Sequence, residues 1–130
     1  MNVLARAKTH FKERLAEELQ SLDVPEWEDE NGEPTKIYFR SSMNLKQKSI
    51  ILKHYQKDEL DKAIAFQLIF RCRDKDGKLI FNSNQLDQIL DDIDPDIASR
   101  IIAEMEKGES EIEEIKGNWK AILIYIWFFN

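Results

Sequence analysis

The chain has 130 residues, 42% of them hydrophobic and 34% charged, with three prolines, four glycines and a net charge of −6. That length and composition describe one ordered, mostly helical domain and exclude a disordered tail. The acidic balance argues against nucleic-acid binding, because such a protein gains nothing by releasing counterions from DNA.

The first predicted element is a helix over residues 3–22. Leu4, Ala7, Phe11, Leu15, Leu19 and Leu22 fall on one stripe at helical spacing. Lys8, Lys12, Glu17 and Glu18 lie opposite, and Arg6, Lys8, Lys12 and Arg14 make the first half basic. A basic amphipathic helix lies on a membrane or an anionic partner, or simply presents a solvated face. The stretch MNVLARAKTHFKERL does not read as a secretory signal, since charges interrupt it throughout. No stretch approaches the ~20 apolar residues of a membrane span, so no membrane association is expected.

Residues 23–35 hold two prolines, a glycine and many carboxylates and read as a surface loop, with Trp27 plugging back into a core. Residues 36–40 read as a short strand, with Ile37 and Phe39 on one side. Asn44 and Gln47 have the spacing of a capping box. They open a helix to about residue 56 that carries Leu45, Ile50, Ile51, His54 and Tyr55, with His54 half-buried against a hydrogen-bond partner. Asp58 is the expected N-cap of the next helix, over 59–72, and Glu59 adds a carboxylate in its first turn. Apolar groups on most of its circumference mark this helix as central and buried. Residues 66–73 also nearly alternate, which leaves open a hairpin around Asp74–Gly77. The lone Cys72 excludes an intramolecular disulfide, fits a reducing cytoplasm and reads as a small buried hydrophobe.

Asp74-Lys75-Asp76-Gly77 superficially matches part of an EF-hand loop. With Gly77 at the sixth position, however, the first and twelfth ligand positions fall on Cys72 and Ser83, which cannot replace carboxylates around calcium. The alternative is a tight turn built by Asp74, Asp76 and Gly77 and anchored by Leu79, Ile80 and Phe81. Ser83 is the expected cap of a short helix with Leu86, Ile89, Leu90 and Ile93. Asp94-Pro95 opens another, with Ile97, Ala98, Ile101, Ile102 and Met105 inward and Gly108 ending it. Residues 109–116 are acidic, and Ala121–Phe129 are nine apolar residues in a row. As a helix these span only ~13 Å, under half a bilayer core. Burying four large side chains among Ile122, Leu123, Ile126, Trp127 and Phe128 would contribute roughly 6–12 kcal/mol. The segment therefore folds onto its own core, packs against another copy, or grips a client.

These elements predict a mainly α fold. It is a compact multi-helix single domain over 1–130 with at most a small two-stranded β element, at about residues 36–40 and 78–82. An N-terminal amphipathic helix (1–22) and a helical core (36–107) precede the acidic-then-apolar segment (109–130). Catalytic constellations are thin. His10 and His54 lack the spacing of a zinc helix, and no glycine-rich phosphate loop exists. The acid-x-lysine pair Asp76-Gly77-Lys78 lacks the upstream Pro-Asp of a metal-dependent nuclease. Asp87, Asp91, Asp92, Asp94 and Asp96 could converge on magnesium in a small enzyme, could mimic DNA as an acidic inhibitor, or could form an exposed helix face and a cap. The expectation is no catalysis, no metal and no cofactor.

The order of motifs resembles the tail assembly chaperones of long-tailed, siphovirus-like bacteriophages and prophages. Trp27 in an acidic loop precedes a short strand. An apolar helix then runs into Arg73-Asp74-Lys75-Asp76-Gly77-Lys78-Leu79-Ile80-Phe81, followed by the capped acidic segment Ser83 to Leu90. Many members carry such a D-x-D-G turn, an apolar pair ending in phenylalanine and a short acidic helix. The resemblance covers about residues 25–107. It implies a non-enzymatic homo-oligomer of the host cytoplasm, absent from the mature virion. Its partners would be the tape measure protein, which it keeps soluble, and the tail-tube protein that polymerises around it. The family often makes a longer product by frameshifting. The residues expected to bind the partner are Trp119, Ile122, Leu123, Ile126 and Trp127.

Overall fold

A computed structural model describes residues 2–17, 19–40 and 42–113. Its elements are α1 (Val3–Glu17), β1 (Gln20–Glu28), β2 (Pro34–Phe39), α2 (Leu45–Gln56), α3 (Leu60–Arg71) and β3 (Cys72–Arg73). A 3₁₀ turn (Ser83–Gln85), α4 (Leu86–Asp92) and α5 (Pro95–Glu113) complete them.

The fold is mixed α/β, which corrects the mainly α expectation. The three strands form one antiparallel sheet in the order β1-β2-β3. Strand β1 occupies the segment expected to be the end of a helix and a surface loop, so the first helix stops at Glu17 rather than residue 22. Leu19 and Leu22 continue the helical stripe by spacing alone; in the fold Leu22 lies opposite Ile37 in the β1–β2 ladder. The ladder slips between Val24 and Glu28 around Pro25. A bulge of this kind turns the next side chains, which lets Leu22, Val24 and Trp27 all reach the core despite their uneven spacing. Residues 78–82 form no strand. Cys72 and Arg73 pair with β2 instead, and Leu79 makes a single bridge to Arg73.

The helix and hairpin readings of residues 59–77 each hold for part of the segment. The helix runs to Arg71, and a tight reversal follows at once. At the other end of α3, Asp58 is not an N-cap. It sits in the left-handed region with φ 58°. Its amide donates to the Tyr55 carbonyl and the Glu59 amide to the His54 carbonyl, the Schellman pattern that closes α2. The Asn44–Gln47 capping box forms as expected, with Gln47 N donating to Asn44 Oδ1 at 2.8 Å. A second box was not foreseen: Asn82, not Ser83, caps the 3₁₀ turn reciprocally with Gln85. Asp94 caps α5 through the Asp96 amide, but Gly108 does not end that helix, which continues to Glu113.

The main core gathers Val24, Ile37 and Phe39 from the sheet, Leu68 and Ile69 from α3, Ile89 from α4, and Ile101 and Met105 from α5. Each such side chain contributes ~1.5–3 kcal/mol by leaving water. Ile51 and Tyr55 of α2 pack with Ala63 in a second cluster on the other side of α3, so α3 is covered from both sides. On the sheet side, Arg100 of α5 forms an ion pair with Glu26 of β1. That guanidinium holds the Glu26 carboxyl below its ordinary range.

Candidate functional site

Of the sequence-predicted site residues, Trp119, Ile122, Leu123, Ile126 and Trp127 lie outside the described residues. The turn residues are described. Asp74 Oδ1 accepts from the amides of Asp76 (2.8 Å) and Lys78 (3.0 Å), while the Gly77 amide donates to the Asp74 carbonyl. The carboxylate thus organises its own loop. Gly77 sits at φ +82°, where an L side chain is strained, and a Cβ there would come 3.2 Å from Arg40 Nη2. Arg73 Nη1 donates to the Gly77 carbonyl at 2.8 Å. Burial, and then the Arg40 charge, lower the Arg73 pKa. Phe81 packs against the main core. Asp29 to Glu33 repeat this arrangement between β1 and β2. Asp29 Oδ1 accepts from Asn31 and Glu33, and Gly32 has φ +77°. The two loops share one geometry, which makes the D-x-D-G stretch a structural turn.

The carboxylates from Asp87 to Asp96 are exposed. Among the described residues no three His, Cys, Asp or Glu side chains converge as a metal site would require. Cys72 is fully buried, and burial pushes its thiol up to about 12, which makes it unreactive at neutral pH. His54 is stacked on Phe66 and lies 3.2 Å from Glu59 Oε1, the half-buried position expected for it.

Sequence reasoning passed over a buried polar chain. Gln67 and Arg71 lie four residues apart on α3. Gln67 Nε2 donates to Tyr55 Oη (3.1 Å), and Arg71 Nη1 donates to Gln67 Oε1 (3.3 Å) and to Glu106 Oε1 (2.6 Å). The Arg71 side chain is 1% exposed. These bonds tie α2, α3 and α5 together, and burial raises the Tyr55 pKa. The signal was available: on a helix apolar all round, any polar pair at helical spacing is buried and needs partners.

Among the described residues two apolar surfaces stand out. An open groove of about 110 Å³ is lined by Ile64 and Leu68 of α3, Ile89 and Leu90 of α4, and Ala98 of α5, with Asp61 also in its wall. The second surface is α1. No residue of this helix is buried, and Val3 and Leu4 are 77% and 79% exposed. None of its side chains enters either core cluster. A groove and an amphipathic helix are the two halves of a common recognition mode between chains.

No protein-family model matches the sequence, and no curated protein matches it. Among solved structures, the fold is similar to that of the bacteriophage HK97 tail assembly chaperone. The TM-score is 0.52 with 18% sequence identity, over 75% of this chain and 91% of that one. The observed mixed α/β fold, and not the mainly α fold expected, is therefore what this chain shares with a tail assembly chaperone, the family that the motif order resembles. Among the described residues no helix is long and apolar enough to cross a membrane.

Proposed function

We propose that this chain is a phage tail assembly chaperone that binds the tape measure protein, keeps it soluble and assists polymerisation of the tail tube. The observation that carries this reading is the fold shared with the HK97 tail assembly chaperone. The D-x-D-G turn and acidic helix of the sequence resemblance agree with it. The chemistry is compatible too. A chaperone for a long apolar helix needs apolar surface to offer, held in solution by charge. This chain offers an open groove and an amphipathic helix with no fully buried residue. It also has the apolar run from Ala121 to Phe129 and a net charge of −6. On this reading it works in the host cytoplasm, leaves before the virion is finished, makes no covalent bond, and acts as a homo-oligomer.

Co-expression with a fragment of a tape measure protein tests the proposal. The expected outcome is a several-fold rise in soluble fragment and its co-purification with this chain. Unchanged fragment solubility with no co-purification overturns it. Deleting residues 119–130 should reduce the effect if that segment grips the client.

A further inference from the structure

The side of the sheet turned away from the core holds two arginines without a paired carboxylate. Ile37 and Phe39 of β2 and Cys72 of β3 enter the core. Tyr38 and Arg73, opposite each other in the ladder, therefore point the other way. Arg40, two residues beyond Tyr38, falls on that same side and is half-buried, as is Arg73. Both guanidiniums converge on the D-x-D-G turn. Arg73 Nη1 donates to the Gly77 carbonyl at 2.8 Å, and Arg40 Nη2 lies 3.2 Å from where a Gly77 Cβ would stand. The Nε atoms of both side chains are enclosed and have no protein acceptor among the described residues. Among those residues neither guanidinium has a carboxylate at ion-pair distance, whereas Arg71, Arg100 and Lys36 each have one, in Glu106, Glu26 and Asp23. Asp74 is no substitute, because its Oδ1 is occupied by the amides of Asp76 and Lys78. In a chain with 25 acidic against 19 basic residues, two neighbouring cations without a counter-charge are an exception. Burial first, and the Arg40 charge second, lower the Arg73 pKa, so the two cations feel each other.

From this convergence we infer that Arg40 and Arg73 form a binding site for a doubly charged phosphate group, free or carried as a monoester. A guanidinium presents its N–H donors as a planar fork that matches the oxygens of phosphate. Two forks meeting at one glycine suit a compact ligand. A phosphate group brings close to two negative charges near neutral pH, one for each guanidinium, whereas a single carboxylate leaves one of them unmatched. The bound group accepts N–H bonds from both side chains, bridges the end of β2 to β3 and relieves the repulsion between the two cations. Gly77 is part of the site, since any side chain there would stand against Arg40. A chain of net charge −6 repels an anion at long range, so capture rests on these short contacts. None of the residues lining the apolar groove takes part, and the inference stands independently of the client proposed above.

The test is a titration of the isotope-labelled full chain with inorganic phosphate at constant ionic strength, followed by nuclear magnetic resonance. O-phosphoserine is the monoester arm and acetate the singly charged control. The Gly77 amide and the Nε–H signals of Arg40 and Arg73 should shift together along one saturable curve with phosphate. Acetate should need roughly tenfold more to reach half-saturation, because it satisfies one fork only. Saturation by phosphoserine as well would assign the site to the phosphate group whichever molecule carries it; saturation by inorganic phosphate alone would assign it to the free ion. Arg40→Gln, checked for folding by circular dichroism, should weaken phosphate binding roughly tenfold or more, and Arg40→Lys, which keeps the charge without the fork, should fall between. Arg40 is the informative position, since Arg73 also holds the Gly77 carbonyl. Lys75→Gln, at an exposed lysine of the same turn, should leave binding unchanged. A drift without saturation overturns the inference. So does acetate matching phosphate, a folded Arg40→Gln chain that binds as the wild type does, or a Lys75→Gln chain that loses as much as Arg40→Gln, which would reduce the effect to general attraction.

Discussion

Helices α1 and α3 differ in a way that separates amphipathicity from burial. The 15 residues of α1 have the clearer apolar stripe, yet Phe11 and Leu15 are only partly buried and none of the 15 is fully enclosed. The 12 residues of α3 are apolar nearly all round and bury six side chains, a glutamine and an arginine among them. A stripe states that a helix has a face to cover but not which molecule covers it. All-round apolarity allows only a central position in the same chain. Helix α3 is accordingly where the domain's stability resides, and α1 is where its surface is left open.

Four measurements of unfolding free energy would break or sharpen this contrast. The largest effect is expected for Glu106→Ala. It leaves the buried Arg71 guanidinium without its carboxylate and should cost about 3–5 kcal/mol, the range for stranding a buried charge. A loss below about 1 kcal/mol in urea unfolding would mean that water reaches Arg71. Next, Leu68→Ala should cost about 3 kcal/mol through lost burial and a cavity, since Leu68 is fully enclosed. Asp58→Gly should stabilise by about 0.5–1 kcal/mol by relieving the left-handed residue between α2 and α3. A loss there would show that the aspartate side chain does more than occupy the turn. The smallest effect is expected for Leu4→Ala, within about 0.5 kcal/mol for the isolated domain, as for other exposed positions. A loss near that of Leu68→Ala would refute the exposure of Leu4, which is 79% accessible.

Titration of Cys72 adds a pH dependence on the α3 side. Its thiol is raised to about 12 in the fold against an ordinary 9.0. Above pH ~9 the unfolded chain loses this proton first, so it binds fewer protons and stability falls as pH rises from about 9 towards 12. Below that window Cys72 contributes no slope. A Cys72→Ala variant whose pH profile keeps the full alkaline loss would assign the loss to another group.

Legibility in the sequence followed how local each signal was. The Asn44–Gln47 box, the Asp94-Pro95 start of α5 and the enclosed α3 were readable because cap chemistry and all-round apolarity act within a few residues. The core contact of Trp27 was readable from its size alone. Strand β1 was not, for two physical reasons. Leu15, Leu19 and Leu22 prolong the helical period past the true end of α1, and the slip at Pro25 breaks the period-2 alternation that marks a strand. The Asp29–Gly32 loop carried the signal of its twin at Asp74–Gly77, but without a visible strand before it the hairpin went unread. The candidate site divides similarly. The amphipathic character of α1 was plain, whereas the groove depends on the angles at which three successive helices pack, which no local pattern states. The apolar run 121–129 lies outside the described residues.

The irregularity in β1 has an effect at the rim of the sheet. β1 is an edge strand, and Pro25 has no amide hydrogen to present to a passing strand. The slip between Val24 and Glu28 further interrupts the row of donors and acceptors there. An incoming extended chain would find about half a ladder and then a gap, a device that discourages fibril growth from open edges. For a molecule whose proposed task is to stay beside a sticky, newly made polymer, that blunted margin favours contact through side chains over irreversible backbone zippering.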